Sequence, residues 1–132
     1  MDSARTFVLT NSGNVIGYFS LTMGSVLRAD APAKLVRGLP AYPLRMVLLA
    51  RLAVDRREQG SGLGGLLLTE ALRKAVTAGE AAAARLVVVD AIDDTAVDFY
   101  RRRGFINVPD HPRRLYRRTK DIAASVDASG TN

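Results

Sequence analysis

The chain has 132 residues, of which 48% are hydrophobic, 24% are charged and none is cysteine. This length fits one domain with a substantial core, and no apolar run approaches the ~20 residues of a membrane span. Lack of cysteine excludes disulfides, a thiol nucleophile and cysteine-based metal sites, and a single histidine argues against structural zinc. We therefore expect a cytoplasmic protein with no metal and no membrane contact, comprising one domain (residues 1–121) and a flexible tail (122–132).

The basic residues are unevenly distributed. The net charge is +6, and 16 of the 19 basic residues are arginine, whose fork of donors suits bidentate phosphate contacts. Eight of the 19 follow Tyr100. This asymmetry indicates a polyanionic partner, either nucleic acid or the phosphates of a bound cofactor, although a role in solubility alone is the alternative.

The first part of the chain has the pattern of β-strands. Residues 6–10 and 15–26 predict two strands joined by a turn at residues 11–14. The segment 28–43 contains three prolines and predicts a loop with room for one helical turn. Residues 44–54 are apolar on both faces in their middle part, which predicts a central strand.

A helix and a strand follow. Leucine, alanine and valine recur at i, i+4 spacing over residues 62–78, which predicts a helix with a broad apolar face, and Gly79 is a plausible stop. Residues 85–90 predict a buried strand. The strand at 44–54, this helix and the strand at 85–90 then form one right-handed β-α-β crossover.

The last elements are predicted to be a helix and a hairpin. Residues 94–103 predict the helix, which Gly104 ends. Residues 105–108 and 115–119 predict the two strands of the hairpin. His111 lies between two prolines in the intervening segment, so we expect it in a solvated turn.

Four glycines mark the junction between the central strand and its helix: Gly60, Gly62, Gly64 and Gly65. Glycine allows positive φ and close approach of backbone to a ligand. A helix start adds unpaired N–H groups and the positive end of the helix dipole, so the junction predicts a pyrophosphate site. A plain glycine-rich turn is the alternative, but so many glycines weaken a helix start by roughly 1 kcal/mol each.

Two common phosphate-binding motifs do not fit this junction. The glycines match the spacing of a dinucleotide fingerprint, but residues 55–59 separate them from the strand, and the chain has room for only one β-α-β unit. A Walker loop needs Gly-Lys-Ser/Thr after its glycines, and that sequence is absent.

Two signatures instead resemble the GNAT N-acetyltransferases. The pattern Gln59-x-x-Gly62-x-Gly64 resembles their acetyl-CoA pyrophosphate loop, and residues 93–105 (DDTAVDFYRRRGF) resemble their second signature, with Asp93 where many members have asparagine. The resemblance implies an α/β (α+β) fold with a mixed, centrally splayed β-sheet flanked by helices.

A closer resemblance is to the GNAT toxins of bacterial toxin–antitoxin modules. It rests on Gly38-Leu39-Pro40-x-Tyr42-Pro43 and on residues 48–55 (LLARLAVD) beside the two signatures. It implies acetylation of the α-amine of aminoacyl-tRNA and a ribbon-helix-helix-type antitoxin as partner, and it leaves a homodimer open. Members usually carry N-terminal helices before the strand found here at residues 6–9, and we expect those helices to be absent.

The resemblance also implies the roles of individual residues. Acetyl-CoA is the expected co-substrate, and Tyr100 is the expected acid that protonates its departing thiolate. No general base is evident, although an α-amine with a pKa near 7.7 is already partly neutral at pH 7. The expected acetyl-CoA contacts are Leu52, Ala53, Val54, Gln59, Gly60, Ser61, Gly62, Leu63, Gly64, Asp93, Ala96, Phe99 and Arg103.

Nucleic acid is the expected second substrate. The candidate phosphate contacts are Arg45, Arg56, Arg57, Arg101 and Arg102, which we expect to flank the cleft. Two alternatives remain open at this point. The chain is either a GNAT acetyltransferase of a small-molecule or protein amine, or a non-catalytic module that binds CoA.

Overall fold

The computed structural model describes residues 4–41 and 43–130. Tyr42 of the predicted motif and residues 131 and 132 of the predicted tail lie outside this description. The strands are β1 (Arg5–Asn11), β2 (Asn14–Val26), β3 (Leu44–Val54), β4 (Leu86–Asp90), β5 (Ile106–Val108) and β6 (His111–Arg118). The α-helices are α1 (Ala33–Val36), α2 (Leu63–Ala82), α3 (Asp94–Arg101) and α4 (Thr119–Gly130), and 3₁₀ turns lie at Arg28–Asp30 and Arg56–Glu58.

The six strands form one mixed sheet in the order β1-β2-β3-β4-β6-β5. Only the central pair, β3 and β4, is parallel, and all other neighbours are antiparallel. The parallel pair is joined through α2, as the predicted β-α-β crossover requires. The sheet therefore confirms the predicted fold class.

Hydrophobic residues cover the sheet on both faces. On one face, which we call the helical face, side chains of α2, α3 and α4 pack on Val47, Leu49, Val87 and Val89. On the opposite face, α1 packs with Leu44, Met46, Leu86 and Val88. The alternation along β3 and β4 accounts for this division, because successive side chains of a strand point to opposite faces.

Gly79 does not end α2, contrary to the prediction. The helix continues to Ala82, and Gly79 is buried within it. A Cβ at Gly79 would lie 3.6 Å from the side chains of Val47 and Thr119, so the missing side chain lets α2 approach the sheet and α4 closely. Ala83 ends the helix instead, in the left-handed region (φ 58°), and the N–H of Ala84 donates to the Gly79 carbonyl at 2.7 Å.

The C-terminal prediction was also wrong in two places. Residues 122–130, predicted to be a flexible tail, lie in α4, and Ile122 is 0% exposed because it packs into the core of the helical face. His111, predicted to lie in a turn, is the first residue of β6 and pairs with Val108. The structure of the two segments depends on tertiary contacts, of α4 with α2 and of β6 with β5. Local composition does not predict such contacts.

Within residues 4–41 and 43–130, no helix is both long and apolar enough to cross a membrane. Among the same residues, no three His, Asp or Glu side chains gather as metal ligands would.

We expect α4 to be an integral part of the fold, and the substitution Ile122→Ala tests this. Loss of a fully buried isoleucine side chain should lower the free energy of unfolding by about 2–5 kcal/mol, measured by urea denaturation. Ile92→Ala is the matched control, since Ile92 is 82% exposed and its change should stay within about 0.5 kcal/mol. Equal effects of the two substitutions would mean that α4 does not contribute to stability.

Candidate active site

The central strands separate at one end. Strands β3 and β4 pair over only four positions, from Met46 opposite Leu86 to Leu49 opposite Val89. There the register between β2 and β3 shifts, because Leu21 pairs with Leu49 while Ser20 pairs with Arg51. Ala50 is the extra residue of this bulge, and bulges bend the strand that carries them. The rest of β3 therefore pairs with β2 alone and leaves β4.

A cavity of about 600 Å³ occupies this gap. Residues 49–54 of β3 line one side, and residues 90–93 at the end of β4 line the other. Side chains of α3 (Thr95, Ala96, Phe99 and Tyr100) and Tyr18 of β2 complete it. Its volume lies within the range of small-molecule sites, about 300–1,000 Å³. Of the predicted acetyl-CoA contacts, it gathers Leu52, Ala53, Val54, Asp93, Ala96 and Phe99, together with Tyr100.

The glycine loop (residues 59–65) follows β3 after the 3₁₀ turn at Arg56–Glu58. Gly60 and Gly62 have φ values of +88° and +84°, and no atom lies within 4 Å of a Cβ built at either. Gly62 is the N-cap of α2, so the first-turn N–H groups of α2 lie beside an open backbone surface. The side chain of Gln59 donates to the Val54 carbonyl at 3.3 Å, which ties the loop to the end of β3.

The 3₁₀ turn between β3 and the glycines carries its own ion pair. Asp55 accepts from the backbone N–H of Arg57 at 2.9 Å and from its Nε at 3.3 Å. The hydrogen bond from the Arg57 side chain lowers the pKa of the Asp55 carboxyl. Arg57 therefore partly neutralises the negative charge at the end of β3.

Two side chains of α3 connect the cavity to the first turn of α2. Phe99 lines the cavity and lies 3.7 Å from a Cβ built at Gly64. The Arg103 guanidinium stacks on the Phe99 ring at 3.8 Å, and its Nη1 donates to the Phe99 carbonyl at 3.0 Å. Its Nη2 lies 3.2 Å from a Cβ built at Gly65. Arg103 thus holds a positive charge against the start of α2.

Tyr100 faces the cavity from the helical face of the sheet. It is 6% exposed and packs edge-on against Phe99 and Phe105. Burial raises the pKa of its phenol to about 12. The phenol therefore keeps its proton at neutral pH and can serve only as a proton donor there.

Asp93 lines the cavity and also has a structural role. Its carboxylate accepts from the Ala96 N–H at 2.8 Å and so caps the N-terminus of α3. This cap fixes the start of the helix that carries Phe99 and Tyr100.

The cavity does not gather all of the predicted site residues. The loop residues (Gln59, Gly60, Ser61, Gly62, Leu63 and Gly64) and Arg103 lie beyond it, around the start of α2, and Phe99 connects the two regions. Among the predicted phosphate contacts, Arg56 and Arg57 are exposed beside the loop, and Arg101 and Arg102 are exposed at the end of α3.

Arg45 does not flank the cleft, contrary to the prediction. It lies at the start of β3, five residues before Ala50, which corresponds to about 16 Å along a strand. Its Nη1 donates to the Ala82 carbonyl at 3.2 Å, at the C-terminus of α2. A cation at that position stabilises the helix end, so Arg45 has a structural role there.

Sequence reasoning missed eight residues that line the cavity: Tyr18, Leu49, Ala50, Arg51, Asp90, Ala91, Ile92 and Thr95. Tyr18 lies opposite Ala53 only through the pairing of β2 with β3. Asp90 carried a signal, because a charged residue that ends a buried parallel strand lies at the edge where ligands bind in open α/β sheets.

A larger cavity of about 800 Å³ lies elsewhere, between α2 and strands β1 and β2. Its walls include Phe7, Met23 and Lys74 but none of the sequence-predicted site residues. We assign the active site to the smaller cavity, because the buried phenol and six of the predicted acetyl-CoA contacts line it and the glycine loop lies beside it.

Comparisons with known proteins agree with this geometry. The profile of the acetyltransferase (GNAT) family matches residues 1–105. The tRNA-acetylating toxin of Mycobacterium tuberculosis is 41% identical over 123 residues, which cover 93% of this chain and 74% of the toxin.

Solved structures of toxins are similar as well. The structure of AtaT complexed with acetyl-methionyl-tRNAfMet has a TM-score of 0.81 and 30% identity, over 92% of this chain and 75% of AtaT. A tyrosine-to-phenylalanine mutant of AtaT, bound to acetyl-CoA and to the C-terminus of the antitoxin AtaR, has a TM-score of 0.76 and 30% identity, over 92% and 71% of the two chains.

The raised pKa of Tyr100 predicts a stability effect in alkaline solution. Between pH ~10 and pH ~12 the unfolded state has lost the phenolic proton while the folded state keeps it, so stability falls as the pH rises. Tyr100→Phe removes this contribution, up to about 1.4 kcal/mol per pH unit. Urea unfolding of both proteins at several alkaline pH values measures the difference, and parallel stability curves would contradict the prediction.

Proposed function

We propose that this chain, which belongs to the GNAT family of acetyltransferases, transfers the acetyl group of acetyl-CoA to the α-amine of aminoacyl-tRNA. One observation carries the proposal. Tyr100 lies in the cavity where β3 and β4 separate, next to a glycine loop that opens α2. The similarity to a tRNA-acetylating toxin, at 41% identity, supports tRNA as the second substrate.

The cavity and the loop divide the binding of acetyl-CoA between them. Backbone groups of residues 52–54, released from pairing with β4, bind the pantetheine arm and orient the thioester. The open backbone at Gly60–Gly64 and the first-turn N–H groups of α2 bind the pyrophosphate. Arg103, held by Phe99 against the start of α2, adds a positive charge for a CoA phosphate.

The chemistry is direct acyl transfer. The neutral amine attacks the thioester carbonyl, so that a C–N bond forms and the C–S bond breaks. Tyr100 donates its proton to the departing sulfur, and the amine loses one proton, which restores the phenol. Burial keeps the phenol protonated at neutral pH but also makes it a weaker acid, so the proton passes to the sulfur as the C–S bond breaks.

An α-amine is a suitable acceptor for this site. Its ordinary pKa of about 7.7 leaves part of it neutral at pH 7, whereas a lysine amine, at about 10.4, needs a strong base. Exposed Arg56 and Arg57 lie in the 3₁₀ turn beside the glycine loop, exposed Arg101 and Arg102 lie at the end of α3, and these four residues supply contacts for tRNA phosphates.

Translation would be the process affected, because an acetylated α-amine can no longer form a peptide bond. We place this activity in the cytoplasm, where charged tRNA is found. By analogy with the AtaT structure bound to the C-terminus of AtaR, we propose an antitoxin as the regulatory partner. The resemblance of the sequence to the toxin branch is the basis for proposing a ribbon-helix-helix type.

Transfer of labelled acetyl groups to a pool of charged tRNA tests the proposed function. The wild-type chain should produce N-acetylaminoacyl-tRNA, identified by mass spectrometry after deacylation. Tyr100→Phe should retain acetyl-CoA binding and lose about 10²–10⁴-fold in rate, the usual value of general acid–base assistance. Acetylation of small or protein amines with no reaction on charged tRNA would replace this proposal with that of a general N-acetyltransferase.

Arg103→Ala should weaken acetyl-CoA binding by about tenfold or more, because a charge-assisted phosphate contact is worth about 1.5–3 kcal/mol. Acetyl-pantetheine, which lacks the CoA phosphates, should bind the wild type and Arg103→Ala equally. Arg102→Ala is the matched control, since Arg102 is the exposed neighbour at the end of α3 and should keep normal acetyl-CoA affinity. Calorimetric titration measures each case, and equal affinities for acetyl-CoA in all three proteins would remove Arg103 from the site.

Binding of tRNA should weaken steeply with salt, with a log–log slope of about −0.7 to −0.9 for each phosphate contact. Arg56→Ala should flatten that slope by about one contact and leave acetyl-CoA binding intact. Arg45→Ala serves as the control with an unchanged slope, because Arg45 lies away from the cleft. A slope unaffected by Arg56→Ala would exclude this arginine from the tRNA surface.

A further inference from the structure

Asp90 presents a fixed carboxylate to the cleft. It is the last residue of β4 and lines the cavity, and its side chain remains 45% exposed. The Arg114 side chain on the adjacent strand β6 holds both carboxylate oxygens, with Nε to Oδ1 at 2.7 Å and Nη2 to Oδ2 at 2.8 Å. This two-point contact sets the plane of the carboxylate, yet each oxygen keeps a lone pair for another donor.

Asp90 and Tyr100 approach the gap from opposite faces of the sheet. Val87 and Val89 point to the helical face, so the alternation of β4 directs Asp90 to the other face. Tyr100 belongs to the core of the helical face. A thioester held between β3 and β4 therefore has the phenol on one side and the carboxylate on the other.

Such a division suits acyl transfer, because the attacking nitrogen and the departing sulfur occupy different positions on the tetrahedral carbon. Tyr100 serves the sulfur in the proposed mechanism, which leaves the nitrogen side to groups on the opposite face.

Asp90 is the carboxylate available on that side. Among the described residues that line the cavity, only Asp90 and Asp93 carry carboxylates, and Asp93 is engaged in capping α3. The nearby arginines are unsuited to an amine, because they are permanently positive. Arg51 lines the cavity, and Arg113 donates to the Ile92 carbonyl at its rim.

We propose that Asp90 binds the amino group of the acceptor, with Arg114 as the positioning residue that orients the carboxylate. This inference rests on the proposed function, which supplies an acceptor with a free α-amine. The carboxylate accepts a hydrogen bond from the neutral amine and thereby aims its nitrogen at the carbonyl carbon.

The test compares Asp90→Asn with the wild type on two forms of one tRNA. With charged tRNA, Asp90→Asn should lower kcat/KM by about 10- to 100-fold, the value of a charge-assisted hydrogen bond, and should leave acetyl-CoA affinity unchanged. The same tRNA esterified with the corresponding α-hydroxy acid has no amine. Used as a competitive inhibitor, it should bind the wild type and Asp90→Asn equally.

Asp94→Asn is the matched control. Asp94 also faces an arginine, Arg113, at 3.6 Å, but it lies outside the cavity wall, so its substitution should change kcat/KM by less than about twofold. Asp90→Glu is the second variant for the case in which Asp90→Asn melts below the assay temperature. It keeps a carboxylate and should recover part of the preference for the amine over the hydroxy form.

Three outcomes would overturn the inference. Asp90→Asn could match the wild type on charged tRNA. Asp90→Asn could instead weaken the binding of acetyl-CoA and of the hydroxyacyl-tRNA inhibitor as much as the binding of charged tRNA. That result would indicate a structural role of the Asp90–Arg114 pair. If the wild type shows no turnover on charged tRNA, both the proposed function and the acceptor site are refuted. If the wild type turns over normally and Asp90→Asn is unaffected, the acceptor site alone is refuted.

Discussion

The separation of β3 from β4 after four paired positions is the constraint on which the remaining site depends. The bulge at Ala50 bends β3, so the backbone of residues 51–54 loses its partner strand on one side. Unpaired backbone groups are costly when buried, and a gap that a ligand can fill satisfies them. The separation thereby creates the cavity, frees peptide groups for binding and admits Tyr100 from one face and Asp90 from the other.

Helix packing turns this gap into an organised site. The glycines at the start of α2 carry no side chains, so Phe99 and Arg103 of α3 approach within contact distance of the first turn. The Asp93 cap fixes where α3 begins and therefore where its aromatic residues lie. A Cβ at Gly65 would lie 3.2 Å from the Arg103 guanidinium and would displace that side chain, which links the start of α2 to the position of Arg103.

Periodicity along the chain predicted most of the framework. The bounds of β3 (Leu44–Val54) were predicted correctly, because an apolar run between a proline-rich loop and a charged turn has clear ends. The end of α2 was predicted wrongly at Gly79, because a glycine needed for close packing looks the same in sequence as a glycine that ends a helix. Ile122 was assigned to a flexible tail because its apolar side chain stands among small and polar residues, and only its contact with the core reveals its role.

The candidate site was predictable where it depends on local motifs and not where it depends on strand pairing. The glycine loop and the Tyr100 helix are continuous in sequence, whereas Tyr18, Asp90 and Arg114 meet the site only through the order of the sheet. The same reason explains the error at Arg45, because a position near the cleft in sequence can lie at the far end of a strand.

Hydrogen exchange with and without acetyl-CoA tests the central claim, that the gap between β3 and β4 is the donor site. Acetyl-CoA should slow exchange of the amides at residues 52–54 and 60–65 and at the start of α3, with little change in β1 and β5. Protection confined to the groove between α2 and strands β1 and β2, or no protection at residues 52–65 under saturating acetyl-CoA, would contradict the account.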